Sequence, residues 1–197
     1  MSAHAPAVQS PYENTGVPDG KLAIWLFLAS EVMLFGTLFT SYIVLRTAAA
    51  SWPRGWDVLN VPLATFNTFI LIASSVTIVM AHAKAAARDK KGFMLNMGLT
   101  VLMAFVFLVV KYFEYSSKFA HGHYPSTSIF YGIYFTTTGL HGIHILGGIA
   151  WNLGLMWWAN RDGWDDRLFI GRVEYAGLYW HFVDVVWIFL FPALYLL

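Results

Sequence analysis

The sequence has no cysteine. That excludes disulfides, thiolate-bound metals, iron–sulfur clusters and covalently attached c-type haem. Charge is also scarce: Asp, Glu, Lys and Arg make up 12% of the 197 residues, where a soluble domain carries about 25%. The apolar share is 58%, above the roughly 45–50% of soluble domains. Too little polar surface remains to coat a water-soluble globule, so the solvent this chain suits is lipid. A net charge of +1 offers no electrostatic pull on nucleic acid or on an acidic substrate. No basic segment followed by a short apolar core opens the sequence. Residues 1–20, with Pro6, Pro11 and Pro18, read as a flexible tail ahead of one membrane domain over residues 21–197. What is abundant is aromatic: 9 Trp, 10 Tyr and 16 Phe, the load expected of a bundle with interfacial belts.

A bilayer core of about 30 Å takes about 20 apolar helical residues. Five stretches meet that need. Residues 22–45 hold one charge, Glu31; residues 58–83 and 92–110 hold none, and the third pattern runs on past Lys111 and Glu114. Residues 119–160 are charge-free but start turn-like, His121-Gly122-His123-Tyr124-Pro125-Ser126, so the helix should begin near Ser128. Residues 175–197 hold one charge, Asp184. In lipid the backbone must satisfy its own polar groups, so each stretch should be helical. The expected fold is an all-α integral membrane bundle of five transmembrane helices. Eight Lys and Arg side chains, at 21, 84, 88, 90, 91, 161, 167 and 172, fall towards one face of the membrane. Four, Arg46, Arg54, Lys111 and Lys118, fall towards the other. This asymmetry predicts a cytoplasmic N-terminus and an outside C-terminus. A reporter fused after Leu197 that works only in the cytoplasm would overturn that orientation.

A charge at the bilayer centre costs roughly 2.5–3.5 kcal/mol on insertion scales, so the buried acids are informative. Glu31 lies about 15 Å past Lys21 and Asp184 about 15 Å past Glu174 at 1.5 Å per residue. Both should therefore sit near mid-membrane. Glu31 reads either as a proton relay or gate, or as a neutral carboxyl bonded to a neighbouring helix. Asp184 shares a helix face with Trp180, Trp187 and Phe191, and Trp N–H groups can satisfy a buried carboxylate. With His181 these residues are expected to form a structural polar clasp. His141 and His144, three apart, are expected to bond between helices. Gly132, Thr136, Gly139, Gly147, Ala150 and Gly154 form a small-residue seam of the kind that lets helices approach closely. Lys111 and Glu114 pair at i, i+3 and are expected to snorkel at the outer boundary or to meet a lipid headgroup.

Four segments together resemble one family, subunit III of the haem–copper oxygen reductases. They are Ser30-Glu31-Val32-Met33-Leu34-Phe35-Gly36, Lys111-Tyr112-Phe113-Glu114-Tyr115, Thr138-Gly139-Leu140-His141-Gly142-Ile143-His144, and Glu174 with Tyr179-Trp180-His181-Phe182-Val183-Asp184-Val185-Val186-Trp187. The match spans residues 22–197 in order, and its last segment is the most specific. The resemblance implies an accessory subunit without redox centres or metal of its own. It would pack on a catalytic subunit I that houses the haems and copper. It would bind phospholipid and help sustain proton uptake and the lifetime of the active site. Glu31 matches the family's carbodiimide-reactive intramembrane glutamate. Mitochondrial-type members have seven helices; this chain is similar to the five-helix form of the bacterial cytoplasmic membrane, whose electron donor is cytochrome c or quinol. The family's lipid cleft is built partly from the two helices absent here.

Other readings compete. A cytochrome b anchor would use His82, His141, His144 and His181, yet these do not form matched pairs at two depths. A nitric oxide reductase complex carries related subunits. A transporter would use Glu31 as its coupling site, but broken helices and repeated halves are lacking.

Overall fold

The computed structural model describes residues 19–161, 163–166 and 168–197. The tail expected over residues 1–20 falls mostly outside them, and Asp19 and Gly20 already belong to the first helix. All regular structure among the described residues is helical: α1 (Asp19–Ala48), α2 (Gly55–Val58), α3 (Val61–Ala86), α4 (Lys90–Ala120), α5 (Ile129–Asn160) and α6 (Phe169–Phe191), the last continued by a π-type turn over Pro192–Leu196.

The breaks are chemically specified. Asn60 Oδ1 accepts from the Leu63 amide at 3.1 Å, with Pro62 just inside the start of α3. Ser128 Oγ accepts from the Tyr131 amide at 3.2 Å and opens α5. Between α3 and α4, Arg88 takes the left-handed conformation with φ 57°. Asp89 then caps α4 by accepting from the Gly92 amide at 2.9 Å. Each cap satisfies an amide that helix geometry leaves unpaired.

The Gly92 amide, and after it the Lys84 ammonium 3.1 Å away, hold the Asp89 carboxyl below its ordinary range. A carboxylate depressed in the folded state contributes stability above its unfolded pKa of about 3.9 and loses it as pH falls through the folded value. Asp89→Ala should therefore speed amide exchange at Gly92 at neutral pH. The difference from the parent chain should vanish once acid has protonated Asp89. A gap that persists in acid would mean that the carboxylate charge is not what caps α4.

Helices α3 and α4 form an antiparallel hairpin. With α5 and α6 they close a four-helix ring in the order α3, α4, α5, α6, and α1 leans on α5 and α6 from outside. Among the described residues, four helices are long and apolar enough to cross a membrane: α1, α3, α4, and α6 with its continuation to Leu196. The 32-residue α5 has no Asp, Glu, Lys or Arg. Its Tyr, Thr, His, Trp and Asn side chains lower its hydropathy, and it is not among the four. The ring core is aromatic, with Trp180, Trp187, Tyr134 and Tyr195 fully buried.

The two ends of the bundle differ in charge. At the basic end Lys21 bonds Glu174 at 2.8 Å, and Arg88 donates to the Trp164 carbonyl at 2.6 Å, tying the two basic loops together. At the far end Tyr42 OH donates to the Ala193 carbonyl at 2.5 Å, Arg46 donates to the Leu197 carbonyl at 2.8 Å, and the Lys118 ammonium donates to the Val58 carbonyl.

Candidate functional site

Helix α1 reaches the ring at mid-height through one polar link. Glu31 Oε2 lies 2.9 Å from His144 Nε2, with the two side chains 14% and 12% exposed. The other ring nitrogen, Nδ1, lies 2.8 Å from the Leu140 carbonyl. A carbonyl only accepts, so Nδ1 carries a hydrogen. Two forms of the link remain, a neutral Glu31 carboxyl donating to Nε2 or an imidazolium donating to a carboxylate. Both hold the same single proton between oxygen and nitrogen, and both leave the pair with no net charge. The Phe35 ring edge packs on the imidazole at 5.2 Å, and Tyr179 OH donates to the His144 carbonyl at 2.9 Å.

A second polar set lies towards the far end and differs from its expected place. Lys111 and Glu114 are buried, not snorkelling at a boundary. The Lys111 ammonium meets Glu114 Oε2 at 2.9 Å and Tyr195 OH at 2.5 Å. Glu114 Oε1 accepts from Tyr134 OH at 3.0 Å and from Tyr195 OH at 2.8 Å. The ammonium also lies 4.7 Å from the Trp187 ring centre. Two tyrosines thus complete a neutral cluster joining α4, α5 and the C-terminal turn. Tyr134 and Tyr195 were not singled out in the sequence, since a tyrosine in an aromatic-rich helix carries no mark of its partner. Lys111 also leaves the count of boundary charges, so the far end retains Arg46, Arg54 and Lys118.

The third set surrounds Asp184, and its tryptophans point elsewhere than expected. Trp180 Nε1 donates to Ser74 Oγ at 3.0 Å, and Trp187 Nε1 donates to Thr68 Oγ1 at 2.9 Å. Both therefore clasp α6 to α3 rather than satisfying the carboxyl. His181 Nδ1 lies 2.7 Å from Ser75 Oγ. Neither Asp184 carboxyl oxygen has a hydrogen-bond partner. His141, expected to hydrogen-bond between helices, is buried with both nitrogens unpartnered. It stacks on Trp187 at 5.2 Å and meets the Phe107 ring at 5.8 Å. Most of the small-residue seam faces outward, with Thr136, Gly147, Ala150 and Gly154 exposed, although a Cβ on Gly147 would stand 3.3 Å from Tyr179 OH and one on Gly139 3.9 Å from Tyr115 OH. The tightest approach on α5 is at Gly148, buried against Trp180.

The family model described as cytochrome c oxidase subunit III matches residues 5–197. The chain belongs to the cytochrome c oxidase subunit III family. It is 35% identical over 189 residues to cytochrome c oxidase subunit 3 of Bacillus sp. (strain PS3), covering 94% of this chain and 90% of the relative. It is 32% identical over 176 residues to cytochrome bo(3) ubiquinol oxidase subunit 3 of Pseudomonas putida, covering 89% and 84%. It is also 32% identical over 182 residues to the probable quinol oxidase subunit 3 of Staphylococcus aureus (strain USA300), covering 90% and 88%. The chain is thus a membrane subunit III of a haem–copper terminal oxidase. That membership implies a subunit I as its partner.

The subunit's histidines are placed for separate tasks. His144 is committed to Glu31, His181 to Ser75, and His141 lies among aromatic rings. Among the described residues, no three His, Cys, Asp or Glu side chains are grouped to hold a metal ion. Glu174 is tied to Lys21 at the basic end.

Proposed function

We propose that this subunit is a non-catalytic accessory that packs on and stabilises the catalytic subunit I. In this reading it supports proton uptake by the oxygen-reducing, proton-translocating complex. The observation that carries the proposal is the Glu31–His144 link, which keeps one proton within a hydrogen bond at mid-height on the outermost helix. The haems and copper reside in subunit I, and the donor is cytochrome c or quinol. Phospholipid is the second proposed partner. An apolar groove of about 420 Å³ between α1 and α6, lined by Phe35, Gly36, Phe39, Phe182 and Phe189, suits an acyl chain. All five long helices span the bacterial cytoplasmic membrane in this proposal. Lys and Arg at the basic end favour a cytoplasmic N-terminus and an outside C-terminus.

Glu31→Gln removes the exchangeable proton while keeping shape and hydrogen-bonding capacity. Oxidase carrying this substitution should show unchanged haem absorption and near-normal initial turnover. Its activity should then decay faster during sustained oxygen reduction. Haem absorption lost in step with activity would replace the protective role with one in assembly. A stoichiometric haem band in the isolated subunit would favour a cytochrome b anchor instead.

A further inference from the structure

The apolar groove between α1 and α6 does not follow α1 along its whole length. It starts at Val32 and Phe182, each about halfway along its helix, and it ends at Pro192, Ala193 and Leu197. From Phe182 to Pro192 it runs about 15 Å at 1.5 Å per residue. That is half of a hydrocarbon core of about 30 Å, the depth of one leaflet. A transmembrane helix laid against α1 would need the full thickness, whereas one acyl chain needs only this half. The aromatic pairs that join the two walls, Phe35 with Phe182 and Phe39 with Phe189, meet edge to face with ring centres 6.1 and 6.5 Å apart.

Both ends of the groove adjoin polar chemistry. At the far end the Leu197 carbonyl accepts from Arg46 Nη2 at 2.8 Å, and Tyr42 OH accepts from Nη1 at 3.1 Å. The half-buried guanidinium is thus fixed at the mouth of the groove. It has five N–H donors, so these bonds leave others for a ligand. Among the described residues, no Asp or Glu side chain pairs with it. A guanidinium fork matches the geometry of a phosphate. At mid-height the groove meets Phe35, which is 3% exposed. The same ring packs on the His144 imidazole at 5.2 Å. Phe35 is therefore a wall shared by the groove and the Glu31–His144 link.

We propose that the groove holds one phospholipid of the leaflet at the far end, its phosphate on Arg46 and one chain running inwards to Phe35, and that this chain keeps the Glu31–His144 link closed. It rests on phospholipid being a partner of this subunit and on the link holding a proton. It adds the leaflet, the headgroup contact and the coupling of the two sites. An empty groove leaves Phe35 without neighbours on one side, and the dispersion contacts that press it on His144 are weakened. Helix α1 has little else to hold it on the basic side of the link. The Lys21–Glu174 pair has side chains 40% and 38% exposed, and exposed pairs contribute little.

The test uses the intact oxidase complex, stripped of lipid in mild detergent and titrated with phosphatidylglycerol. Native mass spectrometry counts the tightly bound lipid. Peptide mass spectrometry measures how fast a hydrophobic carbodiimide labels Glu31. In the parent complex, lipid at about ten times its Kd should slow that labelling about tenfold. Arg46→Gln can still donate to the Leu197 carbonyl but has no charge for a phosphate. It should weaken binding, and raise the protecting concentration, by about tenfold or more. Val185→Phe adds bulk at the α6 wall, where Val185 is 47% exposed, and leaves Arg46 in place. It should act in the same direction, and it decides alone should Arg46→Gln fail to fold. Unchanged affinity in these variants would overturn the site. Weakened affinity with Glu31 labelling indifferent to lipid would overturn the coupling and leave the phospholipid partnership standing. A parent complex that binds no phospholipid would overturn that partnership, and the site with it.

Discussion

Glu114→Gln should destabilise the subunit by about 3–5 kcal/mol, the cost of leaving one buried charge without its partner. Lys111→Met combined with Glu114→Gln should recover most of that loss. The reason lies in the side-chain exposures, 10% for Lys111 and 2% for Glu114, and in the short list of groups around them. In the parent chain the ammonium has the carboxylate at 2.9 Å, a phenol at 2.5 Å and the Trp187 face. Removing the negative charge leaves the ammonium only neutral acceptors and an indole face, too few to replace water around it. In the double variant the glutamine carbonyl can still accept from Tyr134 and Tyr195, and no charge remains to be compensated. Detergent-driven unfolding in mixed micelles, followed by tryptophan fluorescence, yields the double-mutant cycle. A loss under about 1 kcal/mol in Glu114→Gln is what an exposed ion pair would give. It would return Lys111 and Glu114 to the membrane boundary.

That pair marks where sequence reading stops. Spacing placed Lys111 and Glu114 on one helix face, and the structure keeps them in contact. Yet spacing along a helix says nothing of what the face meets. In a soluble protein the apolar stripe identifies the buried side. Here α1 and α6 have almost no preferred apolar side, because the lipid face and the packed face ask for the same residue types. Position along each helix was therefore legible and rotation was not. The start of α5 could be read near Ser128, whereas the caps at Asn60 and Asp89, though equally local in their chemistry, were not singled out in the sequence. The Trp180 and Trp187 ring nitrogens sit on the same face as Asp184 along the sequence. They turn to Ser74 and Thr68, which only the packing of α3 against α6 brings within reach. His144 could be placed inside the membrane, but its partner Glu31 lies 113 residues away on another helix, beyond any local pattern.

The same distinction between position along a helix and rotation yields the other large effect, on α5. Gly148→Val should weaken the α5–α6 contact strongly, whereas Gly154→Ala should be harmless or mildly stabilising. A Cβ on Gly148 would stand 2.6 Å from Trp180 Cζ3, 2.7 Å from Cε3 and 3.2 Å from Tyr179 Cε1. The Trp180 ring cannot retreat easily, being wholly buried and held by its bond to Ser74 at 3.0 Å. Forcing extra atoms into a packed core typically costs about 1–3 kcal/mol. The anchored ring places Gly148→Val at or above the upper end. At Gly154 a Cβ meets nothing within 4 Å, so Gly154→Ala adds only helix propensity, worth roughly 0.5–1 kcal/mol. Trp180→Leu alone should open a cavity and also destabilise. Combined with Gly148→Val, it should cost less than the sum of the two, because the valine occupies space the indole has left. Simple additivity in that pair would show that the indole is not what Gly148 accommodates. The approach of α5 to α6 would then have to be explained by some other contact on that face.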